Sequence, residues 1–229
     1  MILIKKFMKF QKKNDCRLWK INKLASRYGE EFIHDKEYYF DNKIFFNPKN
    51  SNNISDNLCS IFSQLSYTSP RAIVTDLDDT FWKGILGDDG IDKIDFSIGS
   101  SLTEPYYIYQ NLLKKLLNKG ILINISSKND YDYVKKTFQK RKFKIKFKDF
   151  TCKKINWKKK SENIFQISKE LNLSLGNILF IDDNNSERFE VLRHLKKIKV
   201  INFRSANDLV TNINDSNFFD TNLNNKIDR

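Results

Sequence analysis

Asp76 and Asp78 stand two residues apart at the end of a short β-branched run, Ala72-Ile-Val-Thr75. If residues 71–76 form a strand, the chain leaves it near Asp76 and turns, which holds two carboxylates close together. Two acids at that spacing repel, and near neutral pH they need a cation or a shared proton. A divalent metal bound through oxygen supplies that compensation, and Mg²⁺ is the usual choice beside phosphate. The plainer reading is an acidic turn after a strand. This stretch alone leaves both open.

Two further apolar runs end in similar chemistry. Ile121-Leu-Ile-Asn-Ile125 leads into Ser126-Ser-Lys-Asn-Asp130, and Asn177-Ile-Leu-Phe-Ile181 leads into Asp182-Asp-Asn-Asn185. Strands alternating with helices predict a mostly parallel sheet with right-handed crossovers. Ligands in such sheets bind outside the carboxyl ends of the strands. Asp76 with Asp78, Ser126 with Ser127, and Asp182 with Asp183 are therefore expected along one edge. Carboxylates from two strands can share a hard cation, while a serine hydroxyl and backbone N–H groups hold phosphate oxygens. Lys160, just ahead of a predicted helix, supplies positive charge. Together these groups point to phosphoryl transfer. Taken singly, Ser127 reads as a helix N-cap, Lys160 as a solvated lysine and Asp183 as a cap.

The elements that must hold these groups can be read in order. Residues 1–48 mix aromatics and charges without a clear period, with a hairpin expected near Glu37–Phe46. Asn47-Pro-Lys-Asn-Ser-Asn-Asn53 is turn chemistry and marks a boundary, and a short helix is expected from Ser55 to Leu65. Gly84, Gly87 and Gly90 suit a short hairpin or flap after Asp78. Thr103 as N-cap, Pro105 in the first turn, leucines at helical spacing and Gly120 past the end predict a helix. A second helix is expected over Tyr131–Gln139. Phe143-Lys-Ile-Lys-Phe-Lys148 alternates strictly and predicts an exposed edge strand. Ile164, Ile167 and Leu171 mark a third helix. Asn184 with Glu187 starts a fourth, and Ile198–Phe203 reads as the last strand. From about Asn212 the chain is rich in Asn and Asp and reads as a flexible tail. The expected organisation is an N-terminal extension over 1–70, a catalytic domain over 71–211 and a tail over 212–229.

Composition narrows the class. Apolar residues make up 40% of the 229, enough for a sizeable core. Cys16, Cys59 and Cys152 are odd in number and form no Cys-x-x-Cys pair, which argues against a disulfide framework or a zinc ribbon and fits a reducing cytosol. His34 and His194 are too few for a His-based metal cluster. No run approaches the roughly 18–20 apolar residues of a membrane span, and the start lacks a signal-peptide h-region. A cytoplasmic, membrane-free protein is expected. The formal charge of +13 suits an acidic partner. However, abundant Lys, Asn, Ile and Phe, all with A/T-rich codons, give the same charge without any binding meaning.

Asp76-Leu-Asp-Asp-Thr80, the Ser127 region, Lys160 and Asp182-Asp183 resemble, in that order, the four motifs of the haloacid dehalogenase superfamily. Thr80–Gly90, Ser127-Lys-Asn-Asp130, Asn156-Trp157 with Lys160, and Phe180–Arg188 further resemble its IIIC, or FkbH-like, branch. The resemblance covers residues 71–204 and extends weakly upstream to Cys16-Arg-Leu-Trp19, so that residues 1–70 look like the remnant of a preceding domain. It implies an α/β fold with a Rossmann-like parallel sheet flanked by helices, a short flap, no large cap, and Mg²⁺ as cofactor.

The resemblance also implies a role for each residue. Asp76 is the nucleophile, forming an aspartyl-phosphate, and a metal ligand. Asp78 is general acid and base and gives Mg²⁺ its backbone carbonyl. Ser127 binds the transferring phosphoryl group, and Lys160 neutralises nucleophile and phosphate. Asp182 completes the metal site, with Asp183 supporting it. FkbH-like proteins are associated with taking a glyceryl unit from 1,3-bisphosphoglycerate, removing phosphate and loading an acyl carrier protein. No cysteine lies in the motif loops apart from Cys152 further along, which leaves open the thiol that acyl transfer would need. A small-molecule phosphatase of the same fold stays open, as does a basic binding module. Nucleic acid is not an expected partner, since a cluster of carboxylates gives a binder of polyanions nothing.

Overall fold

The computed structural model describes residues 21–56, 58 and 69–215. The chain divides into two compact units, Met1–Ser66 and Tyr67–Arg229.

In the first unit α1 (Ile21–Tyr28), α2 (Glu30–Ile33) and α3 (Lys36–Asn42) follow one another. The hairpin expected near Glu37–Phe46 is not formed, because local capping favours a helix there. The Asp35 carboxylate accepts from Tyr38 N at 3.0 Å, and Lys43, at φ 57, closes the last turn with its N–H on Tyr39 O. These end contacts outweigh the strand preference of the aromatic run. Residues 51–56 are helical; most of the helix expected over Ser55–Leu65 lies outside the described residues.

The second unit alternates strand and helix: β1 (Ala72–Thr75), α4 (Leu86–Asp89), α5 (Glu104–Asn118), β2 (Leu122–Ser127), α6 (Tyr131–Lys140), β3 (Lys153–Ile155), α7 (Lys160–Glu170), β4 (Ile178–Ile181), α8 (Asn185–His194), β5 (Lys199–Val200) and α9 (Ala206–Asp215). All neighbouring strands are parallel, in the order β3-β2-β1-β4-β5. The chain moves one way from β1 to β3, then returns to the other side for β4 and β5. The reversal point lies between β1 and β4, where open α/β sheets bind ligands. Thr75 pairs with both Ile125 and Ile181. Asp76, Ser126 and Asp182 are therefore level with one another along the sheet edge.

Both faces of the sheet are covered, which explains why its strands read as continuous apolar runs. Ile73, Ile123, Ile125, Leu179 and Ile181 pack with side chains of α5, α6 and α9, including Leu113, Val134 and Leu209. Ala72, Val74, Ile178 and Phe180 pack with Ile164 and Ile167 of α7 and Val191 of α8. Helix α5 starts after Thr103, with Pro105 in its first turn. The Thr103 hydroxyl does not cap it, donating to Ser97 O at 2.9 Å. Gly120, at φ 87, makes the turn into β2.

The segment after Asp78 folds back on the core. Lys83 and Asp95 exchange both backbone hydrogen bonds, at 2.8 and 2.9 Å, and Phe81 and Trp82 are fully buried beneath this closure. Phe143 stacks on Trp82 at 5.4 Å and lies 4.7 Å from Phe138. That packing overturns the edge strand expected over Phe143–Lys148. The lysines do face solvent, but the backbone bends, Lys144 N bonds the Gln110 side chain at 3.2 Å, and Phe147–Asp149 forms a 3-10 turn. The sheet edge is taken by β3 instead. Two end positions also shift: the last ladder is confined to Lys199–Val200, and α9 continues to Asp215, beyond the expected start of the tail. Residues 216–229 lie outside the described residues.

Phe81 touches Trp82, Phe138, Phe143 and Phe150 at once. Phe81→Ala is expected to cost about 3–5 kcal/mol through the cavity it leaves. Denaturant unfolding should show a lowered midpoint with an unchanged slope.

Candidate active site

Asp76 is the first residue beyond β1 and Asp182 the first beyond β4, and both are buried. Lys160 opens α7 and is 2% exposed. Its Nζ lies 2.8 Å from Asp76 Oδ2 and also donates to Asp182 Oδ2. Asp76, Asp182 and Asp183 each place a carboxylate oxygen within 4.8 Å of the others. The structure thus brings together four of the residues singled out in the sequence.

Burial works against the Lys160 charge, yet the adjacent Asp76 and Asp182 outweigh it and hold the ammonium well above its ordinary range. Burial, followed by repulsion from Asp76, pushes Asp182 up to about 7, with Lys160 opposing. Asp183 is raised by burial and by Asp76. Three carboxyl groups gather around one ammonium, so acids outnumber the base in the cluster. Asp76 Oδ1 is buried and has no hydrogen-bond partner among the described residues. An unpaired carboxylate oxygen in a cluster with excess negative charge is the donor set a hard divalent cation takes.

Asp78 is built differently. Its Oδ1 accepts from Trp82 Nε1 at 3.0 Å and from Leu86 N at 3.1 Å, and its Oδ2 accepts from Asn129 Nδ2 at 2.9 Å. The carboxylate is therefore held by the segment that follows it and by Asn129. Desolvation raises its pKa, against the three hydrogen bonds. Asn129 Nδ2 also donates to Ser127 Oγ at 3.1 Å, so one buried amide ties Asp78 to Ser127. The neighbouring Ser126 hydroxyl is buried and without a partner among the described residues.

Sequence reasoning assigned no role to three residues that hold this arrangement. Asn129 is one. Thr80 is the second: its Oγ1 donates to Asp183 Oδ1 at 3.1 Å and accepts from Asp183 N at 2.9 Å. Arg188 is the third, donating to the carbonyls of Asp182 and Asp183 at 2.6 and 2.8 Å, and so bracing the turn that carries both acids. All three lie inside segments already quoted for their resemblance. Only their partners, up to 103 residues away, reveal what they do. Asp183 also forms one end of an open groove of about 840 Å³, walled by Arg188, Phe189, Phe203 and Arg204.

Cys152 does not belong to this site. It is buried on the face packed by α7, and burial together with Glu170 pushes its thiol up to about 11. A thiol so placed is a poor nucleophile near neutral pH.

The site's charge balance gives a stability prediction. Asp182 binds its proton more tightly folded than unfolded, so the metal-free protein loses stability as pH rises from its ordinary 3.8 towards about 7. Lys160, whose folded pKa is raised, stabilises throughout this range. Lys160→Met should therefore cost about 3–5 kcal/mol at pH 8, where it strands buried carboxylates. The deficit should shrink at pH 5, where Asp182 takes up a proton, and thermal melts at the two pH values measure it.

No family model and no curated protein matches this sequence. Among solved structures, the chain is similar to the N-terminal part of the protein BF1531 from Bacteroides fragilis, which contains a phosphatase domain and was solved complexed with Mg. The two share 27% identity at a TM-score of 0.82, over 95% of this chain and 58% of that one. This chain thus spans little more than half the length of that relative. A HAD family enzyme from Bacteroides thetaiotaomicron, complexed with magnesium and inorganic phosphate, is 11% identical at a TM-score of 0.40, over 58% of this chain and 93% of that one. A HAD-superfamily hydrolase from Ehrlichia chaffeensis is 14% identical at a TM-score of 0.39, over 63% and 96%. With its five parallel strands, its helices on both faces and its acidic edge at the reversal point, the second unit has the haloacid dehalogenase-like α/β fold.

Proposed function

We propose that the protein is an Mg²⁺-dependent phosphatase or phosphotransferase with Asp76 as nucleophile. The observation that carries this reading is Asp76 Oδ1, buried and unpaired beside Asp182 and Asp183, with Lys160 on the other oxygen of the same carboxylate. The relative containing a phosphatase domain supports it.

Asp76, Asp182 and Asp183, with the backbone carbonyl of Asp78, would hold Mg²⁺. When bound, the ion neutralises charge on the phosphoryl oxygens and on the acids around it. The remaining work falls to the chain. Asp76 attacks phosphorus, forming an O–P bond as the bond to the leaving oxygen breaks, and Asp78 delivers its proton to that oxygen. The raised pKa of Asp78 suits it to carry this proton. Water then attacks the aspartyl-phosphate, Asp78 takes the water's proton, and phosphate leaves. Lys160 offsets the charge on Asp76 throughout, and the Ser127 hydroxyl, set by Asn129, holds a phosphoryl oxygen.

The finer reading is the FkbH-like one, in which the phosphorylated donor carries a glyceryl unit destined for an acyl carrier protein. The branch-like segments Thr80–Gly90 and Phe180–Arg188 support it. Since Cys152 is buried, any acyl transfer would use a thiol other than that one.

Phosphate release from a panel of phosphate esters and acyl phosphates tests the proposal, with Mg²⁺ or EDTA and with or without a carrier protein. Turnover should require Mg²⁺ and fall to background in Asp76→Asn. A carrier that gains mass during turnover would support glyceryl transfer, whereas turnover without loading would leave a small-molecule phosphatase. A folded wild-type protein that releases no phosphate from the panel would overturn the catalytic reading.

A further inference from the structure

Lys128 Nζ lies 2.5 Å from Glu187 Oε1, with the lysine side chain 39% exposed and the glutamate 17%. Lys128 is the residue after β2, next to Ser127, and Glu187 lies in the first turn of α8, which follows β4 and Asp182. In the sheet β2 and β4 are not neighbours, because β1 lies between them. Strands sit about 4.8 Å apart, so β2 and β4 are separated by about 10 Å. A contact between residues just past their ends therefore crosses the carboxyl end of β1, where Asp76 sits. Helices cover both faces of the sheet, so a phosphoryl group reaches Asp76 from this edge.

Both side chains keep some exposure to water, which screens their attraction, so the pair can be exchanged for another anion. Both a phosphoryl group and Glu187 are anionic acceptors suited to the same ammonium. We propose that the Lys128–Glu187 pair is an exchangeable strap across the mouth of the site. An entering phosphoryl dianion takes Lys128 from Glu187, and Lys128 becomes a second phosphate-binding cation opposite Lys160. The inference rests on the phosphoryl-transfer reading for its setting, but it concerns anion binding and can be tested without turnover.

The two halves of the strap should act with opposite sign. In calorimetric titration of inorganic phosphate into the Mg²⁺-loaded protein, Lys128→Met should weaken binding about tenfold, the worth of one charge-assisted hydrogen bond. Glu187→Gln frees Lys128 and should tighten binding several-fold. KM for p-nitrophenyl phosphate should follow the same two directions, with kcat changed much less. If the pair merely braces two loops, both substitutions would move phosphate affinity in one direction or leave it unmoved, and the inference fails. A charge-swapped Lys128→Glu/Glu187→Lys protein rebuilds the brace but should bind phosphate as weakly as Lys128→Met; wild-type affinity there would also overturn the inference. Opposite signs in binding from a wild type that hydrolyses nothing would sink the catalytic reading alone. Turnover with unmoved phosphate affinities would sink the strap alone.

Discussion

The arrangement of the second unit depends on one buried charge problem. Asp76 and Asp182 leave adjacent strands at the same level and would repel across a space from which water is largely excluded. Lys160 is driven between them, and its ammonium tolerates 2% exposure because two carboxylates hold it there. One lysine is too little for three acids. Burial, with that surplus behind it, raises the pKa of Asp182, and one oxygen of Asp76 has no partner among the described residues. Buried pairs of this kind contribute little net stability and are costly when broken. Their presence at a strand edge is better explained by chemistry than by folding.

Around that centre the structure spends its polar contacts on orientation. Thr80 sets Asp183, Arg188 braces the backbone of both acids, and Asn129 couples Asp78 to Ser127. The segment around Lys160 follows the same rule: Asn156 and Asn163 exchange side-chain hydrogen bonds at 3.2 and 3.0 Å just ahead of and within the helix that begins at Lys160. Each supporting residue is polar and hydrogen-bonded to a residue of another segment. Such groups lock rotamers that exposed side chains would sample freely.

The segment between Asp78 and α5 joins the core to the chemistry. Phe81 and Trp82 are fully buried, and the indole N–H of Trp82 is one of the donors to Asp78. Packing in the aromatic cluster is thereby coupled to the proton affinity of the acid.

Much of this was legible in the sequence, and the physical reasons separate what was from what was not. Alternating apolar runs and helical spacings reported the parallel α/β class, because burial on both faces imposes continuous strands. The acids and serines at three run ends reported one chemical edge, because parallel strands present all their carboxyl ends together. Asp76, Ser127, Asp182 and Asp183 were candidates by their place at run ends, and Lys160, ahead of a helix instead, by the positive charge it could add. Strand order, by contrast, is not encoded in local pattern, and only the folded sheet puts β1 between β2 and β4. The Phe143–Lys148 run had the alternation of a strand but was claimed by Trp82 and Phe138, and the residues at 37–46 were claimed by a cap at Asp35. Asn129, Thr80 and Arg188 looked like ordinary polar residues in their local context. The sequence by itself determined which groups meet at the edge; the tertiary structure decided which oxygen is left unpaired and who holds the others, because those depend on contacts between residues far apart in the chain.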